Sequence, residues 1–171
     1  MIALPFTPFH LGPALLLGMM FLTTFNLPTV LISSVIPDLE PFLILYFNIP
    51  GYPLHGFFHS YFGSSILTIL VAGIVYPLRN LFNRALSVFQ ISQKSSFKNI
   101  LFTSFVGTYS HVFLDSFLYG EMMPFYPFTT NPFLFVFSDG VSYAVVYGFC
   151  TMASLVGVFV YIYRIVKKAK A

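Results

Sequence analysis

Two imidazoles stand four residues apart in Tyr52-Pro53-Leu54-His55-Gly56-Phe57-Phe58-His59-Ser60, at the head of a long apolar run. On a helix that spacing puts both rings on one face, and neutral imidazole is the commonest protein metal ligand. His10, Asp38, Glu40, His111 and Asp115 are the other strong ligand candidates in the apolar body of the chain, and His111 and Asp115 are again four apart. An ionisable side chain inside a membrane is costly unless paired, so these seven converging on one level call for a counter-charge. A divalent metal is the simplest one; the alternative is a hydrogen-bonded polar cluster that joins helices. Imidazole and carboxylate without thiolate suit zinc, or manganese or iron, better than calcium. Seven ligands exceed what one tetrahedral zinc takes and suffice for two or three ions with bridging carboxylates. Such a site lowers the pKa of a bound water. Hydrolysis follows as the reaction class, with Asp38 and Glu40 as its catalytic carboxylates.

The elements that position these residues are membrane helices. The chain of 171 residues is 57% hydrophobic, 20% aromatic and 8% charged, against about 25% charged in a soluble domain. A span takes about 20 residues, so the expected fold is a single all-α domain over residues 1–171. Its form is a polytopic bundle of about four spanning helices with short re-entrant or interfacial segments. Met1-Ile2-Ala3-Leu4-Pro5 carries no positive cluster and does not read as a cleaved signal. The lone Cys150 reads as a small hydrophobe.

Charge placement gives an orientation. All eight Lys and Arg residues fall in the connection from Arg79 to Lys98 or in the tail from Arg164, whereas every Asp, Glu and His falls at the opposite helix ends. Short basic loops mark the cytoplasmic side, which puts the C-terminus inside and the candidate site toward the extracytoplasmic face.

Along the chain, the apolar run from Phe9 to Phe25 barely reaches spanning length. The run from Thr29 to Ile36 is half a span and ends at Pro37-Asp38-Leu39-Glu40-Pro41, whose prolines predict an extended piece with both carboxylates on one side. Residues from Phe42 to Ile49 read as interfacial or re-entrant, and a long helix is expected from Leu54 to Tyr76, stopped by Pro77. Leu81, Phe82, Ala85, Leu86 and Phe89 recur at helical spacing and predict a separate amphipathic helix on the inner surface. The next helix runs from Phe97 to Tyr119. A loop from Gly120 to Gly140, with Phe125, Phe133 and Phe135 among its aromatics, should fold over the outer mouth of the bundle, with Glu121 and Asp139 as solvated charges. The last helix, Val141 to Val166, offers Ala153 and Gly157 as a small-x-x-x-small contact.

Asp38 after Ile36-Pro37, the histidine pair before Ser60, and Gly107-x-x-Ser110-His111-x-x-x-Asp115 followed by Gly120 and Pro127 resemble the YdjM-like family of predicted membrane-bound metal-dependent hydrolases. The resemblance spans residues 7 to 132. It implies His10, Asp38, His55, His59, His111 and Asp115 as metal ligands and a distant relation to zinc-dependent phospholipase C. The chain departs from the family pattern at Pro37-Asp38-Leu39-Glu40-Pro41, where Pro-Asp-x-Asp-His is usual, and at His55-Gly56-Phe57-Phe58-His59, where His-Arg-Gly-x-Thr-His is usual.

The expected partners are membrane lipids and a lipid-like or other hydrophobic substrate, with no nucleic acid; the oligomeric state stays open. A metal or proton transporter is the rival from another class, but below the ligand level the helices carry only scattered Thr, Ser and Asn. A structural membrane protein with a metal staple is the other.

Overall fold

In a bilayer every backbone N–H and C=O must be satisfied within the chain, and among the described residues the apolar runs form six α-helices and no strand. They are α1 (Leu11–Met20), α2 (Leu27–Ser33), α3 (Leu39–Tyr46), α4 (Tyr61–Val88), α5 (Phe97–Asp115) and α6 (Asp139–Ala169). The computed structural model describes residues 8–134 and 136–170; the segment from Met1 to Pro5 and Phe135 lie outside them.

Three segments are long and apolar enough to cross a membrane, namely Leu27–Tyr46, Tyr61–Val88 and Gly140–Ala169, with the shorter apolar Pro8–Met20 beside them. This corrects the expected division into spans. The first run is helical only to Met20, and its ten residues in α1 rise about 15 Å, half a hydrocarbon core. The half-span and the re-entrant piece instead join into one broken helical stretch, Leu27–Tyr46, interrupted by the 3-10 turn Ile36–Asp38. Pro37 and Pro41 sit in first turns, where no intrahelical N–H bond is required of them. The prolines therefore punctuate helical pieces, and the extended segment expected for Asp38 and Glu40 does not form.

Helix α4 begins at Tyr61 and not at Leu54, because Ser60 caps it by accepting from Gly63 N at 3.0 Å. His55 precedes it in a loop, and His59 ends a 3-10 turn, Phe57–His59. Nor does Pro77 stop the helix: α4 runs through it to Val88, as helices with internal proline do in membranes. The separate amphipathic helix expected on the inner surface is thus the last turns of α4.

Pairing across helices fixes their directions. Thr68 meets Thr108 and Val75 packs with Ile100, so α4 and α5 are antiparallel. Asn26 meets Thr103 and Ser34 meets His111, so α2 runs with α5. Phe9 meets Tyr147 and Met20 meets Arg164, so α1 runs with α6. The start of α1, the break after α2, the start of α4 and the end of α5 therefore share one end, and the basic residues share the other.

Glycine permits close approach between these helices, as at Gly12 in α1, where a Cβ would collide with the Cys150 carbonyl of α6. A Cβ on Gly107 would collide with Ser33, so glycine lets α5 lie against α2, and Gly157 packs on Leu15 and Leu16 to hold α6 against α1. At the basic end the Gln93 amide donates to the carbonyls of Leu22 and Phe25, both at 2.7 Å, and accepts from Leu27 N at 2.8 Å. At the other end Tyr61 N donates to Pro124 O at 2.9 Å, and Phe133 packs on Phe113 and Phe117. The aromatic loop covers the end that carries the histidines.

Candidate metal centre

Three elements deliver four side chains to a single point. The 3-10 break after α2 supplies Asp38, the turn before α4 supplies His59, and one face of α5 supplies His111 and Asp115. One ligand atom from each of these four residues lies within 4.8 Å of the others, and all four side chains are buried. His59 Nε2 and His111 Nε2 are 3.3 Å apart. His111 Nε2 lies 3.2 Å from Asp115 Oδ2 and 3.6 Å from Asp38 Oδ1, and His59 Nε2 lies 3.8 and 3.9 Å from the same two oxygens. A tetrahedron with metal–ligand bonds of about 2.0–2.1 Å has edges of about 3.3–3.4 Å. These five separations, 3.2–3.9 Å, are those of one such tetrahedron somewhat expanded.

The hydrogen-bond pattern leaves a place for one positive charge. His59 Nδ1 faces Glu40 Oε2 at 2.9 Å, and His111 Nδ1 faces the Ser34 carbonyl at 2.7 Å. Carboxylate and carbonyl oxygens only accept, so each Nδ1 carries the hydrogen and each neutral ring turns the lone pair of Nε2 inward. Two imidazole lone pairs and two carboxylate oxygens then converge in a buried space with no donor among them. Such a group is strongly repulsive until a positive charge enters it. Burial opposes charge on His59, yet the neighbouring Asp38 and Glu40 carboxylates override it and push the ring up to about 9. In the ion-free protein a proton takes the place of the cation. Orientation of metal-binding imidazole by a carboxylate or carbonyl on the far nitrogen is the usual support of a metal site.

A family model described as YdjM inner membrane protein matches residues 5–171. The chain belongs to this family. Comparison with curated proteins and with solved structures gives no match. As a family member built on three apolar segments of spanning length, it is a membrane protein.

The remaining candidates lie around the four. His10 Nε2 is 3.0 Å from Asp115 Oδ1, and its ring lies 4.0 Å from that of His111. Three buried atoms there have no hydrogen-bond partner: His10 Nδ1, Asp38 Oδ2 and Asp115 Oδ1. The approach of His10 to Asp115 is close but misses hydrogen-bond geometry. Glu40 stands behind His59, where its carboxylate also accepts from Phe58 N at 3.0 Å and from the Tyr52 hydroxyl at 3.2 Å. His55 does not share a helical face with His59. Its Nδ1 contacts Glu121 Oε1 at 2.8 Å, and its ring stacks on Tyr119 at 3.6 Å and meets His59 edge-on at 4.8 Å.

Glu121 is exposed, as expected of a loop charge, and the hydrogen bond from His55 holds it below the usual carboxylate range. His55, Glu121, Tyr52 and Tyr126 line a cavity of about 390 Å³ over this end of the bundle. His55 thus lines that cavity while its ring meets His59 of the candidate centre. Sequence reading missed the Ser34 carbonyl and Tyr52 altogether. No side-chain pattern marks a carbonyl as a partner; the break in the chain beside Pro37 was the available signal.

Proposed function

We propose that the chain is a membrane-embedded metal-dependent hydrolase that cleaves a phosphoester or ester bond of a lipid-like substrate at the extracytoplasmic face. The observation that carries this reading is the convergence of two inward Nε2 lone pairs and two carboxylates, each ring held by an acceptor on its Nδ1. Asp38, His59, His111 and Asp115 would hold a divalent ion, for which zinc suits the donor set. The chemistry such an ion would supply there is a lowered pKa for a neighbouring water.

The chain's own groups do the rest. The oxygens Asp38 Oδ2 and Asp115 Oδ1, which have no partner, are placed to accept hydrogen bonds from water and to take its proton. His10 beside Asp115 can receive that proton in turn. Glu40 positions His59. No Lys or Arg lies at this end of the chain, so an anionic group would be bound by the ion and by hydrogen-bond donors. The same segregation supports an outward-facing site.

A structural metal staple is the second reading, favoured by four protein donors within one tetrahedron, since closed sites are structural and catalytic ones keep a position open. The buried oxygens without partners favour catalysis. Transport is disfavoured by the α4–α5 interface below the centre, where Thr68, Ser104 and Thr108 bond one another and helix carbonyls. Incubating zinc-loaded protein with mixed membrane lipids and resolving head-group and diacylglycerol products by mass spectrometry tests the hydrolase reading. Products that disappear in His111→Ala support it; no product under any divalent metal leaves the staple.

A further inference from the structure

At the basic end, α1 stops at Met20 while its parallel neighbour α6 continues to Ala169. The mismatch leaves a crevice of about 370 Å³ beside the last turns of α6. Met19, Leu22 and Ile165 supply its apolar wall, and Arg164, Lys167 and Lys168 supply its rim. None of the five acidic residues lies at this end, so no Asp or Glu side chain answers the three cations. Two are already aimed across the crevice: Arg164 Nη2 donates to Met20 O at 3.2 Å and Lys168 Nζ to Gln90 O at 3.4 Å. A guanidinium has five N–H donors and an ammonium three, so most of this donor capacity remains for a ligand. Arg in particular matches the paired oxygens of a phosphate.

We propose that this crevice binds the phosphodiester head group of an anionic phospholipid. The phosphate lies among Arg164, Lys167 and Lys168, and the first acyl carbons lie on Met19, Leu22 and Ile165. Apolar wall and cationic rim at the end of spanning helices fit a lipid better than a soluble anion, because the same ligand satisfies both surfaces. The site is remote from the metal centre, at the opposite end of the bundle, and does not depend on what that centre does.

The test is native mass spectrometry of the full chain released from membranes of equal phosphatidylglycerol and phosphatidylcholine. Phosphatidylglycerol should be retained in preference. The double variant Arg164→Gln/Lys168→Gln should weaken it about 25-fold at low ionic strength, the product of about fivefold for each basic residue. Lys94→Gln/Lys98→Gln, which removes two basic residues of the same end that do not line the crevice, should retain the lipid as the native chain does. Equal retention of both lipids, an unaffected double variant, or an equal loss in the Lys94/Lys98 control would each overturn the proposal. Displacement by millimolar inorganic phosphate would assign the crevice to free phosphate and refute the lipid.

Discussion

Glu40→Gln separates the positioning role of this carboxylate from the catalytic role its sequence context suggests. Glu40 Oε2 holds the Nδ1 hydrogen of His59 at 2.9 Å and accepts from Phe58 N at 3.0 Å, while Oε1 accepts from Tyr52. Glutamine keeps the shape and one carbonyl acceptor but removes the charge that makes the His59 ring a better donor to an ion. Loss of such a supporting partner costs about 10- to 100-fold in metal affinity, or about 1.4–2.7 kcal/mol. Competition against a chromophoric chelator, on protein purified in detergent, measures the change. Turnover on a reacting substrate should recover when zinc is supplied in excess, because the lesion is in holding the ion. An affinity equal to that of the native chain would refute the positioning role. So would turnover abolished at saturating zinc, which would return Glu40 to the chemistry itself.

Zinc uptake near pH 7 should release about one proton, because the ion-free His59 is held protonated up to about 9 and the ion must displace it; affinity therefore rises with pH toward 9. Calorimetry in buffers of different ionisation enthalpy reads the proton count, and no release would contradict the inward-facing ring. Gly107→Ala should lower stability by about 1–3 kcal/mol through overpacking against Ser33, read as a shifted unfolding midpoint in detergent; an unchanged midpoint would contradict the close α2–α5 contact. For topology, cysteines at the exposed positions Lys94 and Thr130, on a Cys150→Ala background, should differ in intact cells. An impermeant thiol reagent should label Thr130→Cys only, and labelling of Lys94→Cys alone would reverse the orientation.

The membership of the centre was legible because ionisable residues are rare in an apolar chain. Asp38, His59, His111 and Asp115 are among the seven that residue type and position at the ends of apolar runs single out. Their arrangement was less legible. The spacing of His55 and His59 matches a helical face, yet Ser60 caps α4 after both, and His55 turns to Glu121. Local spacing could not reveal a partner 66 residues away. The pair His111 and Asp115, in the interior of a regular helix, behaved as the period requires. Pro37 and Pro77 show the same limit: a proline reads as a stop, but at a first turn it is accommodated, and inside α4 neighbouring helices sustain the run. Segregation of charge to the two ends survived in the fold because it depends on helix direction alone.

The most direct measurement is the metal content and coordination of the purified chain, by elemental analysis together with X-ray absorption at the metal edge. Bound zinc should show four nitrogen or oxygen neighbours at about 2.0–2.1 Å with imidazole outer-shell scattering. The metal should be lost in His111→Ala and retained in Glu121→Ala. A folded His111→Ala protein that keeps its full metal complement, or a native chain that binds no divalent ion at all, would contradict the centre built from Asp38, His59, His111 and Asp115.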